Sequence, residues 1–122
     1  MRRGSVPLSV HGLIEYGEGV LSIAAPFLFS FESDGATAVS VLLGAGILVL
    51  AVVTQAPTGV VRSLPLASHV VIDFVLVLFF LAFPFVFGFS DDSAAVAYFL
   101  VVGIGHMLMS VMTRYGPVRE AS

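Results

Sequence analysis

Apolar residues dominate four stretches of the chain, at residues 8–31, 37–55, 66–89 and 94–113. Each stretch is long enough to cross a hydrocarbon core of about 30 Å, which requires about 20 helical residues. Polar residues are too few to give such helices the water-facing surface that a soluble bundle needs. The pattern therefore predicts an all-α membrane protein with four transmembrane helices joined by short connections.

The two halves of the chain repeat one another. Residues 11–16 read His-Gly-Leu-Ile-Glu-Tyr, residues 69–74 read His-Val-Val-Ile-Asp-Phe, and each segment begins a long apolar stretch. Further along, residues 43–54 match residues 102–113. The second copy has one extra residue before this segment. The duplication predicts that each copy is a hairpin of two membrane-length helices.

The duplication also predicts the domain organisation. We expect one membrane domain, with repeat 1 at residues 8–55, a linker at residues 56–65 and repeat 2 at residues 66–114. Since each repeat contains an even number of spans, both repeats have the same orientation. They should be related by a pseudo-twofold axis along the membrane normal, as in other parallel-repeat membrane proteins.

Four residues are interpreted as parts of this architecture. Pro26 and Pro84 lie near the outer ends of the first and third helices, where each removes a backbone donor and favours a kink. Gly44 and Gly103 lie in the second and fourth helices, where small residues allow helices to approach closely. We therefore treat these four positions as structural.

A family resemblance rests on the same motifs. Residues 25–27 read Ala-Pro-Phe and residues 83–85 read Phe-Pro-Phe, each between an acidic first helix and a glycine-bearing second helix. Over nearly the whole chain, this arrangement resembles the SPW-repeat membrane proteins of bacteria and archaea. Of the Ser-Pro-Trp motif, only the proline and an aromatic residue remain here. The resemblance implies a small helical membrane protein without a particular reaction.

The distribution of charge predicts the orientation. All basic residues are arginines near the termini or in the linker, whereas the other two connections carry only acids: Arg2, Arg3, Arg62, Arg114 and Arg119 against Glu32, Asp34, Asp91 and Asp92. Since positive residues stay on the cytoplasmic side, we expect a multi-pass cell-membrane protein with both termini in the cytoplasm. The absence of lysine is typical of a GC-rich prokaryotic genome.

Composition excludes several kinds of site. The chain has 58% hydrophobic residues and no cysteine, so disulfides, thiolate metal sites and thiol catalysis are excluded. No basic face points to nucleic-acid binding. Neither a nucleophile elbow nor a triad-like spacing is present, so we expect a protein that is not an enzyme.

Six ionisable residues nevertheless fall inside the predicted spans: His11, Glu15, Glu18, His69, Asp73 and His106. Such groups are costly in a membrane and usually face the interior of the bundle. His11 and Glu15 are four residues apart, as are His69 and Asp73, so each pair shares one helical face. His106 lies at a similar depth to Asp73, which predicts one cluster towards the cytoplasmic side.

Three interpretations of this cluster remain open. In the first, hydrogen bonds between acids and histidines lock the repeats together. In the second, a cation such as Zn, Mn or Fe, or a b-type haem, binds to a set of ligands: His11, Glu15, His69, Asp73 and His106. In the third, Glu18 is a titrating group for proton or ion movement in an oligomer, although the outer half of the bundle offers only apolar and aromatic residues.

The leading functional expectation is a structural or accessory membrane component. The partners would be the lipid bilayer and either further copies of the chain or other membrane-protein subunits. In this interpretation no cofactor is needed, while a divalent metal or haem b belongs to the alternative.

Overall fold

The computed structural model describes residues 4–116, and within them the chain forms four helices and no strand. The helices are α1 (Leu8–Leu28), α2 (Asp34–Val53), α3 (Leu66–Val86) and α4 (Ser93–Met112). α2, α3 and α4 are long and apolar enough to cross a membrane. α1 is as long as α3, at 21 residues, but it contains three ionisable residues and is not among those three. The predicted all-α, four-helix architecture is confirmed.

α1 and α3 end three residues before the limits predicted from hydrophobicity. Ser30 and Gly88 adopt left-handed conformations, with φ of 55° and 73°, just after the two helix ends. In each case the next residue donates its N–H to the carbonyl of the helix proline, Pro26 or Pro84, at 2.9 Å. This is the Schellman arrangement, which stops a helix. Hydrophobicity does not mark the stop because the residues around it are still phenylalanines.

Pro26 leaves one carbonyl of α1 without its usual partner. A proline has no N–H to donate to the residue four positions earlier, which here is Ser22. The hydroxyl of Ser40 in α2 donates to the Ser22 carbonyl instead, at 2.7 Å. The proline therefore creates a hydrogen bond between the two helices of repeat 1.

Glycines bring the two helices of each hairpin close together. α1 packs against α2 and α3 against α4, and α1 also contacts α4. A Cβ atom on Gly44 would lie only 2.6 Å from the carbonyl oxygen of Gly19. A Cβ atom on Gly103 would lie 3.0 Å from the Cβ atom of Phe80. A larger residue at Gly44 would therefore force the backbones apart, whereas at Gly103 the nearest atom, Leu81 Cδ2 at 2.8 Å, belongs to a side chain that can move.

The beginning of each repeat is hydrogen-bonded to the end of the other repeat. Val6 exchanges two backbone hydrogen bonds with the segment 112–114, at 3.1 and 2.9 Å. Leu64 does the same with the segment 53–55, at 2.8 Å in both cases. These contacts gather four helix ends at one end of the bundle, here called the linker end.

Among the described residues, the arginines and the acidic residues of the short connections lie at opposite ends of the bundle. Arg62 and Arg114 lie at the linker end, whereas Arg2, Arg3 and Arg119 lie outside the described residues. At the opposite end, the Asp92 carboxylate accepts the backbone N–H groups of residues 32 and 33, at 2.7 and 2.9 Å. One acidic side chain thus ties the two short connections together.

The interior has an apolar and a polar part. The apolar part fills the middle of the bundle and extends towards the acidic end: Leu43, Ile47, Leu50, Leu76, Phe80, Phe89 and Phe99 belong to it. The polar part lies between this core and the linker end. It contains the candidate site.

Candidate functional site

The six ionisable residues singled out from the sequence lie together, and this group is called the polar centre: His11, Glu15 and Glu18 from α1, His69 and Asp73 from α3, and His106 from α4. Five of them are at most 4% exposed, and the Glu18 side chain is 9% exposed. Since a charge removed from water must be compensated by partners, the pairing among these groups determines what the centre can do.

Four of the residues form an inner cage, consisting of His11, Glu15, His69 and Asp73. Nε2 of His11 lies 3.1 Å from an oxygen of Glu15 and 3.1 Å from Asp73 Oδ2. Nε2 of His69 lies 3.0 Å from an oxygen of Glu15 and 3.1 Å from Asp73 Oδ2. Each imidazole therefore contacts the acid one turn along its own helix and the acid of the other repeat.

Two threonines hold the outer nitrogens of these imidazoles. Thr113 Oγ1 lies 2.8 Å from Nδ1 of His11, and Thr54 Oγ1 lies 2.5 Å from Nδ1 of His69. Each threonine hydroxyl donates its hydrogen to the carbonyl four residues earlier in its own helix. The hydroxyl must then accept from the imidazole, so Nδ1 carries a proton in both histidines. Nε2 faces the carboxylates either as a second N–H of an imidazolium or as a free lone pair.

His106 joins the cage to Glu18. Its Nε2 lies 3.0 Å from Asp73 Oδ1, the carboxylate oxygen that His11 and His69 do not approach. Its Nδ1 lies 2.7 Å from Glu18. His106 is 3.8 Å from Glu15, so it stands beside the inner cage.

The polar centre is balanced in charge. Within residues 4–116 it combines three imidazoles with three carboxylates, and no arginine takes part in its ion pairs. Fully ionised, the centre is neutral as a whole. Neutrality matters here because an unpaired charge in a membrane costs several kcal/mol, about 2.5–3.5 for a central acid or base on insertion scales.

The linker and the chain end close the centre at the linker end. Tyr16 donates its hydroxyl to the carbonyl of Thr58 at 2.9 Å, and the Thr58 side chain occupies the space that a Cβ on Gly12 would need. The Tyr115 ring packs edge-on against His11, with ring centroids 5.6 Å apart, and burial raises the pKa of Tyr115 to about 12. A cavity of about 10 Å³ lies beside the cage on the Thr58 side, and His11, Glu15 and His69 are among the residues that line it.

Polar contacts extend one turn beyond Glu18. Beyond Glu18, the Ser22 hydroxyl lies 2.7 Å from the hydroxyl of Tyr98. Tyr98 is one of the aromatic residues expected in the outer half of the bundle. The extension stops at Tyr98, because its ring packs against Phe29 and Phe31.

The structure brings all six predicted ionisable residues together, whereas Pro26, Pro84, Gly44 and Gly103 lie at helix ends and crossings. The two threonines were missed as partners of the histidines. Thr54 and Thr113 occupy equivalent positions in the two repeats, and this equivalence of polar residues was the available signal. A lone threonine near a helix end is otherwise unremarkable, because it can bond to its own backbone.

The dimensions of the centre favour small occupants. A haem cannot enter the cage as it stands, since the adjoining cavity of about 10 Å³ is far below the volume of a porphyrin. The imidazole rings of His11 and His69 are 5.9 Å apart, with the two carboxylates between their nitrogens. The residues described here fit protons or one bare ion.

Comparison with known proteins gives one match. The SPW repeat domain family matches residues 9–113, which is most of the chain and includes every residue of the polar centre. The resemblance seen in the sequence is confirmed. No curated protein and no solved structure matches the chain.

Proposed function

Since the chain belongs to the SPW repeat domain family, we propose that it is a structural or accessory membrane component without enzymatic activity. It would act as a homo-oligomer or as a small subunit of a larger complex. The observation that carries this proposal is the division of the molecule into a closed polar interior and an open apolar exterior. The connections between the helices are short, so little surface is left for a water-soluble ligand.

The exterior of the bundle is available for contacts within the membrane. In the three apolar spans, only 33–39% of the residues are buried inside the chain. The remaining residues are mostly large and apolar, with Leu42, Val101 and Val111 each at least 66% exposed. Lipid tails or other membrane helices are the two kinds of neighbour that suit such surfaces.

Two outward-facing glycines favour a protein neighbour. Gly46 in α2 and Gly105 in α4 occupy equivalent positions in the repeats, and a Cβ atom at either would meet nothing within 4 Å. The packing of this chain therefore does not require glycine there, although glycine weakens an isolated helix by about 1 kcal/mol. Small residues on the outside of a membrane helix allow another helix to approach closely.

The orientation follows from the arginines. We propose that the linker end faces the cytoplasm of a prokaryotic cell, because Arg62 and Arg114 lie there and the acidic residues of the two short connections lie at the opposite end. The polar centre would then lie near the cytoplasmic side of the membrane. In this role its hydrogen bonds fasten repeat 1 to repeat 2.

Gentle extraction from the native membrane tests the proposal. Native mass spectrometry should find the chain in a stoichiometric oligomer or with a fixed partner. Gly46→Leu or Gly105→Leu should release that partner while the chain stays folded. Val101→Leu on α4, at an exposed position that already carries a large apolar residue, serves as the outward-facing control. A lone chain in every mild detergent would contradict the proposal.

A second function, proton or ion conduction by an oligomer, is favoured by one observation. Asp73, His106 and Glu18 form a continuous row of contacts, and Ser22 with Tyr98 extends the polar side of α1. In liposomes with a pH gradient, Glu18→Gln should then abolish the flux that the unmodified protein supports. Flux that is absent, or that is unchanged in this variant, would count against conduction.

A further inference from the structure

The inner cage brings together four atoms of the kinds that bind metal ions. One nitrogen or oxygen atom from each of the four buried residues lies within 4.8 Å of the other three. The nitrogen–oxygen edges are 3.0–3.1 Å. A tetrahedral ion with bonds of about 2.0–2.1 Å has edges of roughly 3.3 Å. The nitrogen–nitrogen and oxygen–oxygen distances are within 4.8 Å, so these two edges would also have to adjust for the cage to surround an ion.

The two threonines present both imidazoles in the form that binds metals. Thr54 and Thr113 fix the proton on Nδ1, as described above, so that Nε2 of each histidine points into the cage. Histidines that bind metals almost always donate their other ring N–H to a fixed acceptor, and this contact sets the tautomer and the ring orientation.

The charges select a divalent ion. Glu15 and Asp73 supply two negative charges to the cage, and a divalent cation would neutralise both. Glu18 adds no net charge, because it pairs with His106 at 2.7 Å. A monovalent ion would leave one negative charge uncompensated in the membrane interior, at a cost of several kcal/mol.

The ligand atoms select a transition metal. Two imidazole nitrogens and two carboxylate oxygens suit Zn²⁺ in tetrahedral coordination, whereas Mg²⁺ and Ca²⁺ require six or more oxygen ligands, waters included. The cavity of about 10 Å³ has no room for a hydration shell. We propose that His11, Glu15, His69 and Asp73 bind one divalent transition-metal ion, with Zn²⁺ the best fit.

His106 has a different part in this site from the one predicted from the sequence. Its Nε2 lies against Asp73 Oδ1, and its Nδ1 lies against Glu18. It therefore positions the Asp73 carboxylate and does not bind the ion. Replacement of His106 should weaken metal binding without abolishing it, since the four ligands remain.

The test uses the full chain, purified in a mild detergent from cells grown with added zinc. Elemental analysis should find one Zn²⁺ per chain. After removal of the metal with a chelator, Co²⁺ should bind at the same ratio and give the intense visible absorption of a tetrahedral complex. His69→Ala and Asp73→Asn should lower the affinity for Zn²⁺ more than 100-fold, and Thr54→Val should lower it by about 10–100-fold.

Tyr98→Phe is the matched control, because Tyr98 lies outside the cage and should keep full metal content. Circular dichroism and gel filtration of each variant identify those that fail to fold. The Co²⁺ spectrum of the unmodified protein remains decisive if all cage variants misfold. The proposal is overturned if the folded, unmodified chain binds neither Zn²⁺ nor Co²⁺, or if His11→Ala combined with His69→Ala binds either ion equally well. Oligomer size, measured on the same samples, tests the accessory role separately.

Discussion

The two sides of the bundle carry opposite chemistry at equivalent positions of the repeats. Where α1 meets α4, Glu18 pairs with His106 at 2.7 Å. Leu76 in α3 is the repeat equivalent of Glu18, and Ile47 in α2 is the repeat equivalent of His106. Both belong to the apolar core. One side of the bundle thus has an ion pair where the other has two aliphatic side chains.

The difference separates what the fold requires from what this chain adds. The contacts of the inner cage occur on both sides, with each histidine placed between a threonine and an acid of the other repeat. The Glu18–His106 pair occurs on one side only, so the scaffold can pack without it. An apolar pair is often as stable as a buried ion pair of similar size. Of the residues in the polar centre, Glu18 and His106 are therefore the ones that the packing of the fold requires least.

The largest effect should come from the residue that both sides share. Asp73 lies within 3.1 Å of all three histidines, so Asp73→Ala should lower the free energy of unfolding by about 3–5 kcal/mol. Equilibrium unfolding in mixed detergents measures the change. Asp91→Ala, at an exposed acid, should change stability by less than about 0.5 kcal/mol. Equal effects of the two substitutions would show that the centre does not stabilise the fold.

The next experiment replaces the Glu18–His106 ion pair by the aliphatic residues found at the equivalent positions on the other side. Glu18→Leu or His106→Ile alone should each destabilise the chain by about 3 kcal/mol, since each leaves a buried charge without its partner. Together they place at these positions the residue types of Leu76 and Ile47, which belong to the apolar core, and should restore most of the loss. The double-mutant cycle should therefore give a coupling energy of at least about 2 kcal/mol. Strictly additive losses would mean that the two sides are not interchangeable.

A smaller difference concerns the helix prolines. Ser40→Ala should cost about 1 kcal/mol, because the Ser22 carbonyl then loses the hydroxyl that replaces the missing N–H of Pro26. In a Pro26→Ala background, the restored N–H can bond to that carbonyl, and Ser40→Ala should cost almost nothing. Unfolding measurements on the four proteins decide this. An equal cost in both backgrounds would show that the Ser40 hydrogen bond does not compensate for the missing N–H of Pro26.

The smallest effect lies at the two helix stops. Ser30 has φ of 55° and its counterpart Gly88 has φ of 73°, and only glycine adopts this conformation without a penalty. Ser30→Gly should stabilise the chain and Gly88→Ser should destabilise it, each by about 0.5–1 kcal/mol. Thermal unfolding in detergent should show shifts of opposite sign. Shifts of the same sign would exclude the conformational explanation.

The architecture was predictable because its signals are local. Helices of membrane length follow from apolar stretches, and the face shared by His11 and Glu15 follows from their spacing of four residues. The helix stops were less predictable, since Ser30 gives no signal as strong as Gly88. Phenylalanines on both sides of each stop also hide the end of the helix from any hydrophobicity scale.

The contact of each cage histidine with the acid of the other repeat could not be predicted in the same way. His11 lies as close to Asp73, 62 residues away, as to Glu15 on its own helix. Which acid a histidine reaches depends on the rotation of two helices that are apolar nearly all round. Only the packed structure determines that rotation, through close crossings such as that at Gly44. The alternatives of a lock, a metal site and a relay remained open for this reason.

The contacts between the repeats have a consequence for how such a molecule can arise. A single hairpin carries a histidine, an acid and a threonine, but its histidine finds its threonine only on a second hairpin. Two separate hairpins would have to meet in the membrane at a rate set by their concentration. The linker at 56–65 makes that meeting intramolecular, with an effective concentration in the millimolar range for a short tether. Within one chain, the two halves can also carry different residues at equivalent positions, as they do at Glu18 and Leu76.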